Sequence, residues 1–156
     1  MQTPDSLNDV AKFHHTFNVP IEQKPIIPSE ERCHLRVNLL EEELKELKNA
    51  IEQKDLVEIA DAFCDLQYVL AGAILEFGLG EKFKPLFDEV HRSNMSKVCK
   101  SLEEAEKTVI HYQTQKGMEG VIEKKGDEYL VYRKSDNKVL KSINYSPAEL
   151  ISILKK

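Results

Sequence analysis

Residues 56–77 read as one helix that is apolar on nearly every face, with Leu56, Ile59, Phe63, Leu66, Val69, Leu70, Ile74 and Phe77 spread around it. A helix of that kind is expected to be buried. Yet the same segment carries Glu58, Asp61 and Asp65 and holds no Lys or Arg. Their spacing of three and four residues places them on one narrow stripe. Like charges on adjacent turns repel, and a carboxylate in apolar surroundings is costly unless it is paired, neutralised or bound to a metal. These charges also interrupt the run as a membrane span.

The preceding helix carries a second acidic stripe. Ser29 caps its start, with Glu30 and Glu31 in the first turn, and the helix is expected to end near Gln53. Leu35, Leu39, Leu40, Leu44, Leu47 and Ile51 form its apolar face, and Glu42, Glu43 and Glu46 stand at i, i+3 and i, i+4 spacing. Lys54-Asp55 is a short break with Asp55 as the next N-cap, so the two helices form an antiparallel pair. Facing carboxylate stripes make an oxygen-rich pocket that suits a hard divalent cation such as Mg²⁺, with Mn²⁺ as a substitute. Two ions held so can activate a water and stabilise a leaving oxygen. Residues 41–46 alone would read as a solvated helix face; the stripe in the apolar helix is the harder one to dismiss. A di-iron bundle needs Glu-x-x-His on each of two helices. The chain offers only Glu31-Arg-Cys-His34, ahead of both stripes, which counts against iron.

The rest of the chain divides into shorter pieces. Residues 5–17 are expected to be helical, with Val10, Phe13, His14 and Phe17 on one face. His14 is either packed or ligand-facing. Pro20, Pro25 and Pro28 make residues 18–28 an extended loop, either a cover for a pocket or a passive connector. Gly78-Leu-Gly80 ends the apolar helix, and a weaker helical segment covers 81–98. Ser101 and Glu104 form a capping box that opens a polar helix ending at Gly117. Runs at 120–123, 128–133 and 138–141 are rich in β-branched and aromatic residues and suggest a hairpin or three-strand meander. Ser146 as N-cap, Pro147 at N1 and Glu149 at N3 start a closing helix to Leu154.

The expected fold is mainly α, a helical bundle with a small C-terminal β-hairpin or meander and closing helix. Residues 1–117 form the helical part, and 118–156 join the same domain. A length of 156 residues suits one core. The net charge of −5 argues against a general nucleic-acid surface. Cys33, Cys64 and Cys99 form no C-x-x-C pair, so neither a disulfide framework nor a zinc knuckle is expected. A reducing, cytoplasmic setting without a signal peptide fits.

Glu42-Glu43-Leu-Lys-Glu46 and Glu58-Ile-Ala-Asp61 resemble the Glu-Glu-x-x-Glu and Glu-x-x-Asp signature of the all-α, MazG-like nucleoside triphosphate pyrophosphohydrolases. Phe13-His14, the proline loop, Ser93-Asn-Met-Ser-Lys97 and the tail from Lys138 to Pro147 are similar to a subgroup with dUTP-preferring members. The polar helix at 101–117 looks like an insertion ahead of the tail. The resemblance implies that Glu43, Glu46, Glu58 and Asp61 ligate metal, and that Glu42 holds a further ion or orients the attacking water. It implies phosphate contacts for Asn94 and Lys97, with Lys138 and Lys141 as further candidates, and a supporting or base-contacting role for Asp65. With His14, these form the expected substrate-binding set. The activity implied is Mg²⁺-dependent cleavage of a nucleoside triphosphate, dUTP or a non-canonical nucleotide, to monophosphate and pyrophosphate, serving nucleotide-pool sanitation. The alternatives are phosphoribosyl-ATP pyrophosphohydrolysis, or a non-catalytic nucleotide- or metal-binding module. A homodimer or homotetramer is implied, with no nucleic acid and no membrane as partner.

Overall fold

A computed structural model describes residues 2–155. Among them are six helices and one two-stranded sheet: α1 (Ser6–Phe17), α2 (Glu30–Gln53), α3 (Leu56–Glu76), α4 (Gly80–Met95), α5 (Leu102–Lys116), β1 (Gly120–Lys125), β2 (Glu128–Arg133) and α6 (Ile151–Leu154). The expected mainly helical class with a C-terminal hairpin is what forms. The chain makes two compact units, Met1–Phe83 and Lys84–Lys156. No single helix among the described residues is long and apolar enough to cross a membrane.

In the first unit α3 packs on both α1 and α2. Ser29 Oγ caps α2 by accepting from the Arg32 N–H. At the other end Lys54 adopts the left-handed conformation, φ 58°, and donates to the last-turn carbonyls of Ala50 and Ile51. Asp55 then caps α3, accepting from the N–H groups of Val57 and Glu58 at 2.9 and 3.2 Å. The two-residue break therefore stops one helix and starts the next, as its residue types require. Val10, Ala71 and Leu75 form the packed centre, with Leu7, Ala11 and Ile21 against them.

The proline loop is a strap along the end of α3. Glu22 N–H donates to Leu75 O at 3.0 Å, and Ile26 N–H to Phe77 O at 3.1 Å. Gly78 makes this possible: its φ is +65°, and a Cβ there would stand 1.9 Å from Lys24 O.

One expectation is corrected. α3 is not buried all round, because α1 and α2, the helices packed on it in its unit, leave part of its surface uncovered. Leu56, Val57 and Phe63 remain 77%, 75% and 57% exposed. Glu58 and Asp61 lie on exposed positions, while Glu43 and Asp65 are half-buried.

The buried carboxylate is a different one, Glu76 at 1% exposure. Arg32 grips it with two nitrogens, Nε at 3.1 Å from Oε2 and Nη2 on Oε1. Arg36 Nη2 reaches the same Oε1 at 2.5 Å. Burial pushes the Glu76 carboxyl up, but the two guanidiniums outweigh burial and hold it below its ordinary value.

In the second unit α5 packs on the hairpin around Cys99, Ala105, Tyr112, Val131 and Leu140. The strands pair antiparallel, Gly120 opposite Arg133 through Lys125 opposite Glu128. Ser101 Oγ caps α5 by accepting from the Glu104 N–H at 3.1 Å. Glu104 returns its carboxylate to the Lys100 N–H, one residue earlier than a capping box would place it. Of the hairpin and the three-strand meander the hairpin forms, and one tail expectation, the start of the closing helix, is corrected. The third run is not a strand; it contributes a single bridge, Tyr132 with Val139. The closing helix begins only at Ile151, and Ser146 does not cap it. Ser146 Oγ instead accepts from Arg92 Nη1 at 3.1 Å, and Glu89 accepts from the Glu149 N–H at 2.8 Å. α4 has taken the groups that would have started the helix earlier.

Removing one member of a buried ion cluster leaves its partners uncompensated. Glu76→Gln should therefore lower unfolding free energy at neutral pH by about 3–5 kcal/mol, read from urea midpoints. Glu76 titrates below its ordinary 4.5, so its contribution is complete above that pH and is lost as pH falls further. The gap between variant and wild type should narrow in acid. A variant with the wild-type midpoint would contradict the role given to this carboxylate.

Candidate active site

The first unit gathers most of the expected acidic set around Glu43. Its carboxyl titrates above its ordinary value, first because it is partly desolvated, then because Asp65, Glu46, Glu42 and Asp61 act on it with the same sign. The stripes of α2 and α3 thus face one another, as the antiparallel pairing requires. Glu58 stands on α3 one turn before Asp61. A concentration of carboxylates without compensation is unfavourable by itself, and hard oxygen donors are what a divalent cation takes. The donor set fits such an ion in chemistry and in sign. Among the described residues, no group of three or more His, Cys, Asp or Glu side chains is already arranged to hold one.

Beside this acidic face lies a cavity of about 350 Å³ between α1, α2 and α3. Phe13 and Tyr68 line it, their rings 5.7 Å apart and nearly perpendicular. His14 lines it too, at 2% exposure. His14 Nδ1 is 2.9 Å from the Pro20 carbonyl, which can only accept, so Nδ1 carries the proton. Nε2 is then the acceptor for Arg36 Nη2 at 3.2 Å. Both ring nitrogens are in use, and His14 has only its ring face to offer a ligand. Burial lowers its pKa, and the Arg36 cation does so further, against the bond to Pro20. A larger apolar groove, about 640 Å³, runs along α2 at Leu44, Leu47 and Ile51. It holds none of the expected site residues, so size alone does not mark the site.

The second unit gathers a cationic cluster. Lys97 Nζ donates to Asn94 Oδ1 at 2.7 Å. Tyr145 OH is 2.9 Å from Ser93 Oγ, and Lys141 Nζ sits 4.1 Å over the Tyr145 ring. The Ser93 bond, the Lys141 cation and then the Lys97 cation draw the Tyr145 phenol below its ordinary value, against desolvation. Lys141 is placed by its own backbone, whose N–H donates to Tyr112 OH at 3.2 Å. Lys138 stands apart: its charge acts on Asp136 in the hairpin region. Asn94, Lys97 and Lys141 are therefore brought together, and Lys138 is not in their cluster.

Ser93 and Tyr145 lie in the segments that carry the resemblance but have no role of their own in the sequence reading, which misses the Arg32–Arg36–Glu76 cluster altogether. The signal for the last was present. Glu76 is a lone charge among Ile74, Leu75 and Phe77, and Arg32 and Arg36 form an i, i+4 pair on the preceding helix.

Comparison with known proteins adds two findings. The model of the family described as phosphoribosyl-ATP pyrophosphohydrolase matches residues 10–94. An uncharacterized protein of Acanthamoeba polyphaga mimivirus is 24% identical, over 83% of this chain and 86% of its own length.

The His14 assignment has a testable consequence. Its folded pKa lies below the ordinary 6.5, so the unfolded chain takes up a proton that the folded one refuses. Stability should be full above about pH 6.5 and decline as pH falls toward the lowered value. His14→Gln should flatten that part of the pH profile of thermal unfolding. An unchanged profile in the variant would show that another group sets it.

Proposed function

This chain belongs to the phosphoribosyl-ATP pyrophosphohydrolase family, within the MazG-like nucleoside triphosphate pyrophosphohydrolases, and on that premise we propose that it cleaves a nucleoside triphosphate to monophosphate and pyrophosphate. Membership brings a nucleotide pyrophosphohydrolase type of activity and a general dependence on metal. The observation that carries the specific reading is the facing of the α2 and α3 carboxylates around Glu43.

Glu43, Glu46, Glu58 and Asp61 are the proposed donors for Mg²⁺, or Mn²⁺ in its place. A bound divalent cation supplies charge neutralisation for the phosphates and a water of lowered pKa. Glu42 orients the attacking water. The water oxygen bonds to the α-phosphorus, the bond to the α–β bridging oxygen breaks, and that oxygen leaves on pyrophosphate. The water's proton passes to solvent. Asn94, Lys97 and Lys141 have the donors and charge that a phosphate chain needs. Positioning and charge stabilisation, rather than covalent catalysis, supply the rate. The family's description names phosphoribosyl-ATP, which is therefore the second substrate to test beside dUTP and other nucleotides.

The protein as purified, with Mg²⁺, should release pyrophosphate from at least one nucleotide. Glu43→Gln and Asp61→Asn should each lower kcat by at least about a hundredfold, in the range found for lost groups that stabilise transition-state charge. Lys97→Ala should act mainly on KM. Full activity in either carboxylate variant would overturn the metal assignment.

The proposed homo-oligomer is supported by side chains left open on α2. Val37, Leu44 and Ile51 are seven residues apart and 52%, 57% and 53% exposed. Antiparallel pairing of two copies about Leu44 would set Val37 on the second copy's Ile51 and bring Glu41 near its Lys48. Leu44→Glu should shift the wild-type oligomer to monomer in sedimentation velocity. A variant that stays assembled would place the interface elsewhere.

A further inference from the structure

Residues 141–145 lie in no helix or strand, yet each of their backbone N–H groups has an acceptor. Lys141 N–H donates to Tyr112 OH at 3.2 Å, and Ile143 N–H to Thr108 Oγ1 at 3.1 Å. Between them, Ser142 N–H donates to the Lys97 carbonyl at 3.2 Å. The N–H groups of Asn144 and Tyr145 turn back on Ser142, to its Oγ and its carbonyl, each at 2.9 Å. Ser142 Oγ donates in turn to the Glu104 carboxylate, which also accepts the Lys100 N–H and a bond from the Asn144 side chain.

The side chains that hold this segment form one stripe of α5. Glu104, Thr108 and Tyr112 are four residues apart in turn, a spacing that stacks them on one face. Thr108 donates its hydroxyl proton to the Glu104 carbonyl at 2.8 Å, so its oxygen meets Ile143 as an acceptor. Burial pushes the Glu104 carboxyl up, but the bonds from Ser142, Lys100 and Asn144 outweigh it and hold the group below its ordinary value. Thr108, Ser142 and Tyr112 are all buried. A buried N–H that loses its acceptor is costly, so the segment cannot slip along α5 without stranding donors. Apolar residues at 104 and 108 would pack the helix without fixing that register.

The segment carries the groups suited to phosphate. Lys141 opens it and Tyr145 closes it, with Lys141 Nζ over the Tyr145 ring and Tyr145 OH on Ser93 Oγ. Its middle is tied to the backbone of Lys97. Two lysine cations held near one another repel, and a rigid frame meets that cost before the anion arrives. We propose that α5 is the template for this phosphate grip, with Glu104, Thr108 and Tyr112 as positioning residues that set Lys141 beside Lys97. None of the three touches substrate in this account. The polar helix that reads as an insertion in the sequence thereby acquires a task in binding. The proposal rests on the pyrophosphohydrolase reading for its substrate, while the placement itself is a property of phosphate-chain binding.

Tyr112→Phe keeps the ring and removes the acceptor for Lys141. Thr108→Val keeps the shape and removes the acceptor for Ile143; Thr108→Ser keeps the hydroxyl. With pyrophosphate release in Mg²⁺ as the assay, Tyr112→Phe and Thr108→Val should each raise KM about fivefold or more and act little on kcat. Thr108→Ser should stay near the wild-type KM. In a Lys141→Ala background, Tyr112→Phe should add less than about twofold, because the group it misplaces is gone. Circular dichroism checks that each variant folds. An unchanged KM in folded Tyr112→Phe and Thr108→Val overturns the proposal and leaves the reaction standing. The full loss repeated on top of Lys141→Ala also overturns it, since α5 would then be a general support. If no nucleotide is cleaved, the reaction fails, and the calorimetric Kd of inorganic tripolyphosphate with Mg²⁺ decides the placement. Weaker binding in Tyr112→Phe and Thr108→Val, but not in Thr108→Ser, upholds it; no binding by the wild type, or one Kd throughout, overturns it.

Discussion

The first unit depends on a buried carboxylate caught between two guanidiniums. Glu76 near the end of α3 takes Arg32 and Arg36 of α2, and Arg36 passes the contact on to His14 of α1. His14 in turn holds the Pro20 carbonyl at the start of the strap. One connected set of polar groups thus fixes three helices and a loop. Such a cluster is expensive to desolvate, and its value lies less in net stability than in leaving few alternative packings. Arg36 and Glu43 are seven residues apart, so they share a face of α2. Fixing Arg36 therefore fixes the rotation at which α2 presents its carboxylates to α3.

Around that anchor the molecule separates its charges by unit. The first concentrates carboxylates at Glu42, Glu43, Glu46, Asp61 and Asp65, and their mutual repulsion is visible in the raised Glu43. The second concentrates Lys97 and Lys141 about Tyr145. Carboxylates alone would repel a polyphosphate, and lysines alone would bind one without cleaving it. A divalent cation would reverse the local sign of the acidic face. Tyr145 matters because Lys141 sits over its ring and its hydroxyl pairs with buried Ser93.

The helices were legible because their ends are written in strong local chemistry. Ser29, Asp55 and Ser101 cap the helices they were expected to cap, and Gly117 takes the left-handed position that ends α5. The acidic stripes were legible from spacing alone, because helix geometry puts Glu43 and Glu46, or Asp61 and Asp65, on one face. Exposure was not. The composition of α3 implies burial, but burial depends on how many neighbours cover a helix, and that is a tertiary property. The start of the closing helix was not legible for the same kind of reason. Ser146 and Glu149 have the residue types of a helix start, yet Arg92 and Glu89 from α4 claim them first. In the sequence His14 reads as either packed or ligand-facing. Its neutral tautomer, with both nitrogens engaged, follows only once Pro20 and Arg36 are seen beside it.

The central claim is that water attacks the α-phosphorus of a nucleoside triphosphate, with pyrophosphate as the leaving group. Hydrolysis in ¹⁸O-labelled water, followed by mass spectrometry of the products, tests it directly. The account predicts one labelled oxygen in the nucleoside monophosphate and none in the pyrophosphate. Label in pyrophosphate, or release of orthophosphate with a nucleoside diphosphate, would place the attack on a different phosphorus and contradict it.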